Sequence, residues 1–206
     1  MKIPKTVLWI LLAAVIAGLA YGAVLLRHGI SARMDPSQTE IRVARALRHM
    51  AIPKLDREDE NPWKDVATAD VMKDAREHFA DHCAQCHANN GSGDTEMGKY
   101  LYPRAPDMRL PATQNLSDGE LYYIIRNGVP LTGMPAWGEP NTPQDDDSWQ
   151  LVLFIRHLPK LTPEEIKDME QYNPIGKMEL DEEKEHEEAS HDGKPSGKSA
   201  PEHHHH

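Results

Sequence analysis

The chain has 206 residues, a formal net charge of −10 and two cysteines. The length allows one or two domains. The acidic excess argues against a nucleic-acid partner, because phosphate recognition needs a basic surface, and two cysteines exclude a small scaffold built on disulfides. Aromatic residues make up only 6% of the chain, with two Phe, so we expect a component other than large side chains to fill part of the core.

The first apolar stretch predicts a membrane anchor. Residues 6–26 carry no charged side chain, and about 20 helical residues are enough to cross the hydrocarbon core of a bilayer. Two lysines before this stretch keep the start of the chain inside, although arginines after it make the bias weak. The alternative is a cleaved secretory signal, with Ala20-Tyr21-Gly22 as its cleavage site, but signal h-regions are shorter, about 7–15 residues. Both interpretations export the rest of the chain.

Four regions are predicted from shifts in composition. They are an anchor or uncleaved signal (1–28), a juxtamembrane connector with a basic helix (29–66), a compact domain with a C-terminal helical extension (67–175), and an acidic, His-containing disordered tail (176–206). The tail is predicted to be disordered because it has almost no bulky apolar residues to bury. Its four terminal histidines are either native or a purification tag, and no metal role is assigned to them.

The connector combines a helix and a predicted linker. Ser37 and Glu40 match a capping box, in which each side chain satisfies a donor at the start of a helix. The helix is predicted to carry an apolar strip beside a basic strip: Ile41, Ala44, Leu47 and Ala51 beside Arg42, Arg45 and Arg48. Either this helix lies on anionic lipid or on a partner subunit, or it is a connector with a solvated face. Residues 56–64 are polar, contain a proline and predict a linker.

The compact domain is predicted to be all-α, because no alternating strand pattern occurs in it. Apolar residues at i, i+4 and i+8 predict a helix from about Asp70 to His82, and residues 89–94, NNGSGD, predict a loop. Three further helices are predicted from their end signals. One follows a capping box at 117–120 and stops at Gly128, one starts at the aspartates 145–147 and ends before Pro159, and one opens at 162–165.

Both cysteines lie in Cys83-Ala84-Gln85-Cys86-His87, which has the C-x-x-C-H spacing of c-type haem attachment. Two thiols three residues apart near a helix end can add to the two vinyl groups on one haem edge, and the next imidazole then reaches the iron. Three alternatives are less favoured. A thioredoxin-like dithiol needs a strand before its motif, a zinc site needs four ligands, and a plain disulfide would leave His87 as a bystander.

A methionine is the expected second axial ligand. Met134 lies in a stretch rich in glycine and proline between two helices, NGVPLTGMPAWG, and a thioether from such a loop can reach the iron. The alternative is a methionine that only fills the core. Met108 is the second candidate for the ligand, and Met97 is a distant third.

With these motifs, residues 69–160 resemble the small monohaem class I c-type cytochromes. The resemblance rests on the A-x-x-x-F-x-x-x-CAQCH run that starts at Ala75, on GSGD at 91–94, on GMPAW at 133–137 and on a last helix with Leu151, Phe154 and Leu158. It implies the class I cytochrome c fold around one covalent haem c, with Cys83 and Cys86 attached to the haem and His87 and Met134 on the iron.

The resemblance also implies roles for neighbouring residues. The first and last helices of the family cross closely, and Ala75 and Phe154 occupy the crossing positions, with Ala75 in place of the usual glycine. A proline carbonyl accepts the Nδ1 proton of the axial histidine, and either Pro103 or Pro106 could supply it. Candidate contacts of the haem or its propionates are Tyr100, Tyr102, Arg104 and Trp137.

Two filled axial positions predict outer-sphere electron transfer and not catalysis. We expect a single-pass protein of a bacterial cytoplasmic membrane, with its haem domain on the periplasmic side. It would shuttle electrons from a quinol-oxidising complex or dehydrogenase to a terminal oxidase or reductase, as part of a respiratory chain. One alternative is a fixed cytochrome c subunit of a larger respiratory complex. The other is a haem-based sensor or peroxidase, if Met134 leaves the iron easily.

Overall fold

The computed structural model of the protein describes residues 4–28, 31–139, 142 and 145–174, without the side chains of Leu25 and His28. Regular structure within these ranges is helical, with no strand, so the all-α prediction is confirmed there. The α-helices are α1 (Lys5–His28), α2 (Gln38–Ala51), α3 (Lys54–Glu58), α4 (Ala69–His78), α5 (Ala84–His87), α6 (Glu96–Tyr100), α7 (Pro111–Gln114), α8 (Asp118–Asn127), α9 (Asp146–His157) and α10 (Pro163–Met169). A π-helical turn (Phe79–Cys83) joins α4 to α5, and 3₁₀ turns follow α9 (Leu158–Lys160) and α10 (Glu170–Tyr172).

The N-terminal helix α1 is long and apolar enough to cross a membrane, by length and composition, over Lys5–Val24. None of that stretch is buried against the rest of the protein. A signal sequence passes the same test, but the length of this helix, 24 residues, fits the anchor predicted from the sequence.

The core of the compact domain lies between α4, α8 and α9. Ala75 on α4 and Phe154 on α9 are both buried, as the resemblance implies, and the Phe79 and Phe154 rings lie 5.0 Å apart. Tyr122 on α8 stacks on Trp149 at 4.0 Å. Met169 at the end of α10 is fully buried, so the C-terminal extension packs on the same core.

The helix ends follow the predicted capping signals. Ser117 and Glu120 form a complete capping box before α8, and Thr162 and Glu165 form another before α10. Helix α8 ends at Gly128, whose φ of +67° suits glycine. Each predicted helix of the compact domain therefore begins and ends close to its expected position.

The linker prediction for residues 56–64 is wrong, because this segment packs on the compact domain. Helix α3 lies against α8 so closely that a Cβ on Gly119 would meet the Asp56 carbonyl oxygen at 1.9 Å. Asn61 is only 4% exposed, and its side-chain amide donates a hydrogen bond of 2.9 Å to the Trp149 carbonyl. Trp63 then packs against the core. A polar stretch can thus pack on a domain when some of its polar groups find backbone partners.

Helix α2 also differs from its prediction. The Ser37 hydroxyl caps the helix by accepting from the Glu40 N–H at 3.2 Å, but the Glu40 carboxylate accepts from the Tyr102 hydroxyl instead of completing the box. The predicted apolar strip is split between two environments, since Ile41 is half-buried whereas Leu47 is 57% exposed. The four-part division of the chain stays a prediction, and the tail at 176–206 lies outside the described residues.

Candidate haem site

The attachment motif lies at the end of one continuous helical run. Helix α4 passes at His78 into the π turn, in which the Ala84 N–H donates to the Phe79 carbonyl, five residues back. Helix α5 then carries Cys86 and His87 and ends where Ala88 adopts a φ of +60°. The sequence predicted a helix before the motif but not the π turn. Such wide turns are rare and are frequently found at functional sites.

Both thiols are free, and neither has the lowered pKa of a redox-active dithiol. Desolvation by the surrounding protein, with a smaller contribution from Cys86, raises the pKa of Cys83 to about 12. Burial also raises the pKa of Cys86. A redox-active dithiol needs a lowered thiol pKa, so the shifts argue against a thioredoxin-like site. The described ranges also contain no group of three or more His, Cys, Asp or Glu side chains able to hold a metal ion, which argues against zinc.

The imidazole of His87 is oriented toward a loop carbonyl. Its Nδ1 atom is buried without a well-aligned hydrogen bond, and the acceptor that interacts with the ring is the backbone carbonyl of Pro106. Burial lowers the pKa of His87, and the Pro106 carbonyl opposes that shift. Of the two prolines that the sequence left open, the structure therefore favours Pro106 over Pro103. A carbonyl acceptor on Nδ1 would leave Nε2 free to bind a metal.

Glycines bring this loop close to the motif. A Cβ on Gly93 would lie 2.3 Å from the Ala105 carbonyl oxygen, and one on Gly98 would lie 2.2 Å from the Cys86 carbonyl oxygen. The Gly93 N–H also donates to the His87 carbonyl at 2.8 Å. These close backbone approaches need glycine, and they hold the Pro106 loop beside His87.

The Met134 loop is held at both ends and lies near the motif. The Val129 N–H donates to the Met134 carbonyl at 3.1 Å, and the Trp137 N–H donates to the Ile125 carbonyl at 3.1 Å. The Trp137 ring meets the His82 ring edge-on at 5.4 Å, next to Cys83. The loop that carries Met134 thus contacts the residue that precedes the attachment motif.

The three candidate methionines have different surroundings. Met108 is 7% exposed and belongs to the hydrophobic core, whereas Met97 is 53% exposed. Met134 is half-buried and not part of that core. Met108 therefore has a packing role already, and Met134 is the candidate that is outside the core and yet less exposed than Met97.

Two of the predicted haem contacts have partners in the connector. The Tyr102 hydroxyl donates to Glu40, and the Arg104 guanidinium pairs with Asp35 at 2.9 Å. Tyr100 and Trp137 are exposed at 62% and 38%. The link between residues 35–40 and 102–104 joins segments more than 60 positions apart, so sequence reasoning had no signal for it.

Taken together, the residues present fit a covalent haem. Two unpaired thiols lie three positions apart at a helix end, the following imidazole has a buried Nδ1 atom and interacts with the Pro106 carbonyl, and a thioether is available from a nearby loop. A thioredoxin-like dithiol, a zinc site or a plain disulfide would not use all of these groups.

Comparison with known proteins points to the same part of the chain as the attachment motif. The family model for cytochrome c oxidase, cbb3-type, subunit III matches residues 70–155. These residues form a c-type cytochrome domain. Its cofactor is haem c, and the expected resemblance and fold class are confirmed for this region.

A curated relative carries a similar domain. The cbb3-type cytochrome c oxidase subunit FixP of Rhizobium meliloti (strain 1021) is 33% identical over 91 residues, which cover 43% of this chain. The match spans 28% of the relative's own length, so what the rest of that protein does is not transferred by the similarity.

Proposed function

We propose that this protein transfers electrons through a single haem c, attached at Cys83 and Cys86 and ligated by His87 and Met134. The observation that carries the proposal is the attachment motif itself, at the end of a helical run, with two free thiols and with the His87 imidazole beside the Pro106 carbonyl. Haem iron with two protein ligands supplies one-electron chemistry.

The chain's own residues have separable tasks in this proposal. The π turn and α5 present both thiols on one short segment, while the Pro106 carbonyl fixes the tautomer and orientation of His87. With haem bound, Met134 would be the second protein ligand of the iron and would keep water and small ligands from it. The protein then acts as a carrier of electrons and not as an enzyme in its own right.

The ligand assignment is tested by Met134→Ala in the holoprotein. We expect the weak long-wavelength Met–Fe absorption of the oxidised form to disappear, the reduced form to bind carbon monoxide and the reduction potential to fall, because a thioether ligand raises the potential. Met97→Ala, at an exposed position, is the matched control and should change none of these.

Other outcomes of this experiment would contradict the assignment. An unchanged Met–Fe band in Met134→Ala would exclude Met134 as the ligand and favour Met108. Carbon monoxide binding by the reduced wild-type protein would instead favour the sensor or peroxidase alternative, in which Met134 is labile.

We further propose that the domain works as a fixed subunit of a respiratory oxidase complex, with α1 as a single-pass anchor and the haem domain on the periplasmic side. The names of the matching family and of FixP, both subunits of cbb3-type oxidases, favour this arrangement over a mobile carrier. Co-purification of a terminal oxidase in mild detergent would support it. Quantitative release of the cytochrome alone from the same membranes would favour the mobile carrier, which receives electrons from a quinol-oxidising complex or dehydrogenase.

A further inference from the structure

Helix α2 presents an apolar strip that no described residue covers. Val43, Leu47 and Met50 recur at i, i+4 and i+7 and therefore lie on one face of the helix. Their exposed fractions are 52%, 57% and 67%, and no residue of α2 is buried. An amphipathic helix normally turns such a strip toward a core or an interface.

The other face of α2 is attached to the haem domain. Ile41 and Arg48, on the side away from the strip, are half-buried. The His49 Nδ1 atom lies 2.6 Å from the Glu120 carboxylate, and Arg57 contacts the His49 Nε2 atom at 2.7 Å. The Tyr102–Glu40 hydrogen bond holds the start of the helix. The strip thus points away from the domain that its own helix contacts.

The chain itself places this strip near the membrane. Only nine residues separate the end of α1 at His28 from the start of α2 at Gln38. Even fully extended, that connection reaches no more than about 35 Å. Because α1 fits a membrane anchor, the start of α2 lies within about 35 Å of the membrane surface.

The charge of the connector is suited to an anionic surface. Residues 31–57 carry more basic than acidic side chains, whereas the chain as a whole is acidic. Asp35 and Glu40 are paired with Arg104 and Tyr102. Arg42 and Arg45 are exposed and have no ion-pair partner among the described residues. The acidic side chains near the helix are thus engaged with the domain, and Arg42, at the flank of the strip, is available to lipid phosphates.

We propose that α2 lies in the interface of an anionic bilayer, with Val43, Leu47 and Met50 inserted among the lipids, and that it holds the haem domain at the membrane surface through Glu120 and Tyr102. The inference rests on the proposed anchoring of α1. It adds a second membrane contact that restricts how the haem domain is oriented towards its redox partners.

The test uses the full-length holoprotein in vesicles of phosphatidylcholine and phosphatidylglycerol. The two native cysteines are expected to be bonded to haem, so one introduced cysteine takes one nitroxide label. Leu47→Cys reports the strip, and Arg45→Cys, exposed on the opposite side of the same helix, is the matched control. Collisions with oxygen, which concentrates in lipid, are compared with collisions with a water-soluble nickel complex.

We expect the label at position 47 to be several-fold less accessible to nickel than the label at position 45, and more accessible to oxygen. With a reporter at Met50→Cys, Leu47→Asp should restore nickel accessibility without changing the haem spectrum, because Leu47 lies outside the core. Equal nickel accessibility at positions 45 and 47 would overturn the proposal.

Two further outcomes would also overturn it. Protection of position 47 from both oxygen and nickel, with spin–spin broadening, would mean that a second copy covers the strip. Protection that appears only when other membrane proteins are present would mean that a partner subunit covers it. Vesicle flotation reports α1 separately, since a protein that does not float has lost its anchor and fails the proposed function rather than this inference.

Discussion

Helices α2 and α9 are of similar length, 14 and 12 residues, but they have opposite surroundings. Helix α9 buries residues on several sides in the core, among them Trp149, Val152 and Phe154, whereas α2 buries none. Apolar and polar residues are more clearly segregated on α2, the exposed helix. A helix enclosed by other elements is apolar nearly all round, so strong segregation marks a helix at a boundary. The apolar strip by itself does not tell what covers it.

The largest effect is expected from the buried helix. Phe154 is 1% exposed and packs on Phe79. Phe154→Ala should lower the free energy of unfolding of the holo domain by about 3–5 kcal/mol, through lost burial and the cavity left behind. Denaturant unfolding followed by haem absorbance measures it. The matched change on α2, Leu47→Ala, should stay within about 0.5 kcal/mol, and equal losses in the two variants would contradict the comparison.

An intermediate effect is expected where the connector meets α9. Asn61 is buried, donates to the Trp149 carbonyl and accepts from the Trp63 N–H at 2.9 Å. Asn61→Ala removes both hydrogen bonds at a buried position and should cost about 1–2 kcal/mol of domain stability. Asn127→Ala removes an exposed side-chain hydrogen bond to the Tyr123 carbonyl and is the control. If Asn61→Ala were as mild as its control, residues 56–64 would be a linker after all.

A smaller, pH-dependent effect is expected at Glu120. Burial raises the pKa of this carboxyl, but hydrogen bonds from the Ser117 N–H and from His49 outweigh burial and lower it. A lowered pKa in the folded state stabilises the protein above the ordinary glutamate range and loses that stabilisation as the pH falls through the folded-state value. Glu120→Gln should therefore cost about 1 kcal/mol near neutral pH and progressively less in acid.

The second capping box supplies the control for Glu120. Glu165 also caps a helix and contacts a histidine, His157 at 3.1 Å, and its pKa is likewise lowered by hydrogen bonds that outweigh burial. Its side chain is more exposed than that of Glu120, 29% against 8%. Glu165→Gln should have a weaker effect, because solvent screens the lost charge. A pH-independent loss in Glu120→Gln would contradict a stabilisation that depends on the charge of this carboxylate.

The sequence predicted the features that depend on neighbouring residues. The capping boxes of α8 and α10, the end of α8 at Gly128 and the attachment motif depend on residues close together in the chain, and their signals are short and specific. The π turn had no such signal, because it depends on how the helix end packs against the domain. Contacts such as His49 with Glu120 and Asn61 with Trp149 join positions 71 and 88 apart, and one sequence contains no marker of such pairs.

The same distinction applies to the site. Residue spacing nominated Cys83, Cys86 and His87 directly, but it could not choose between Pro103 and Pro106, which required the path of the loop around Gly93 and Gly98. Met134 was preferred for its loop, and the structure adds that the competing Met108 lies in the core. The assignment of all four site residues stays a proposal for the experiments above.

Covalent attachment of haem is the most direct test of the account. The full chain, produced in a host that matures c-type cytochromes, is extracted with acidic acetone beside a Cys83→Ser/Cys86→Ser variant. We predict that the wild-type polypeptide retains its haem through the extraction and that the variant loses it. Extraction of the haem from the wild-type chain, or a wild-type chain that never acquires haem, would contradict the assignment of Cys83 and Cys86.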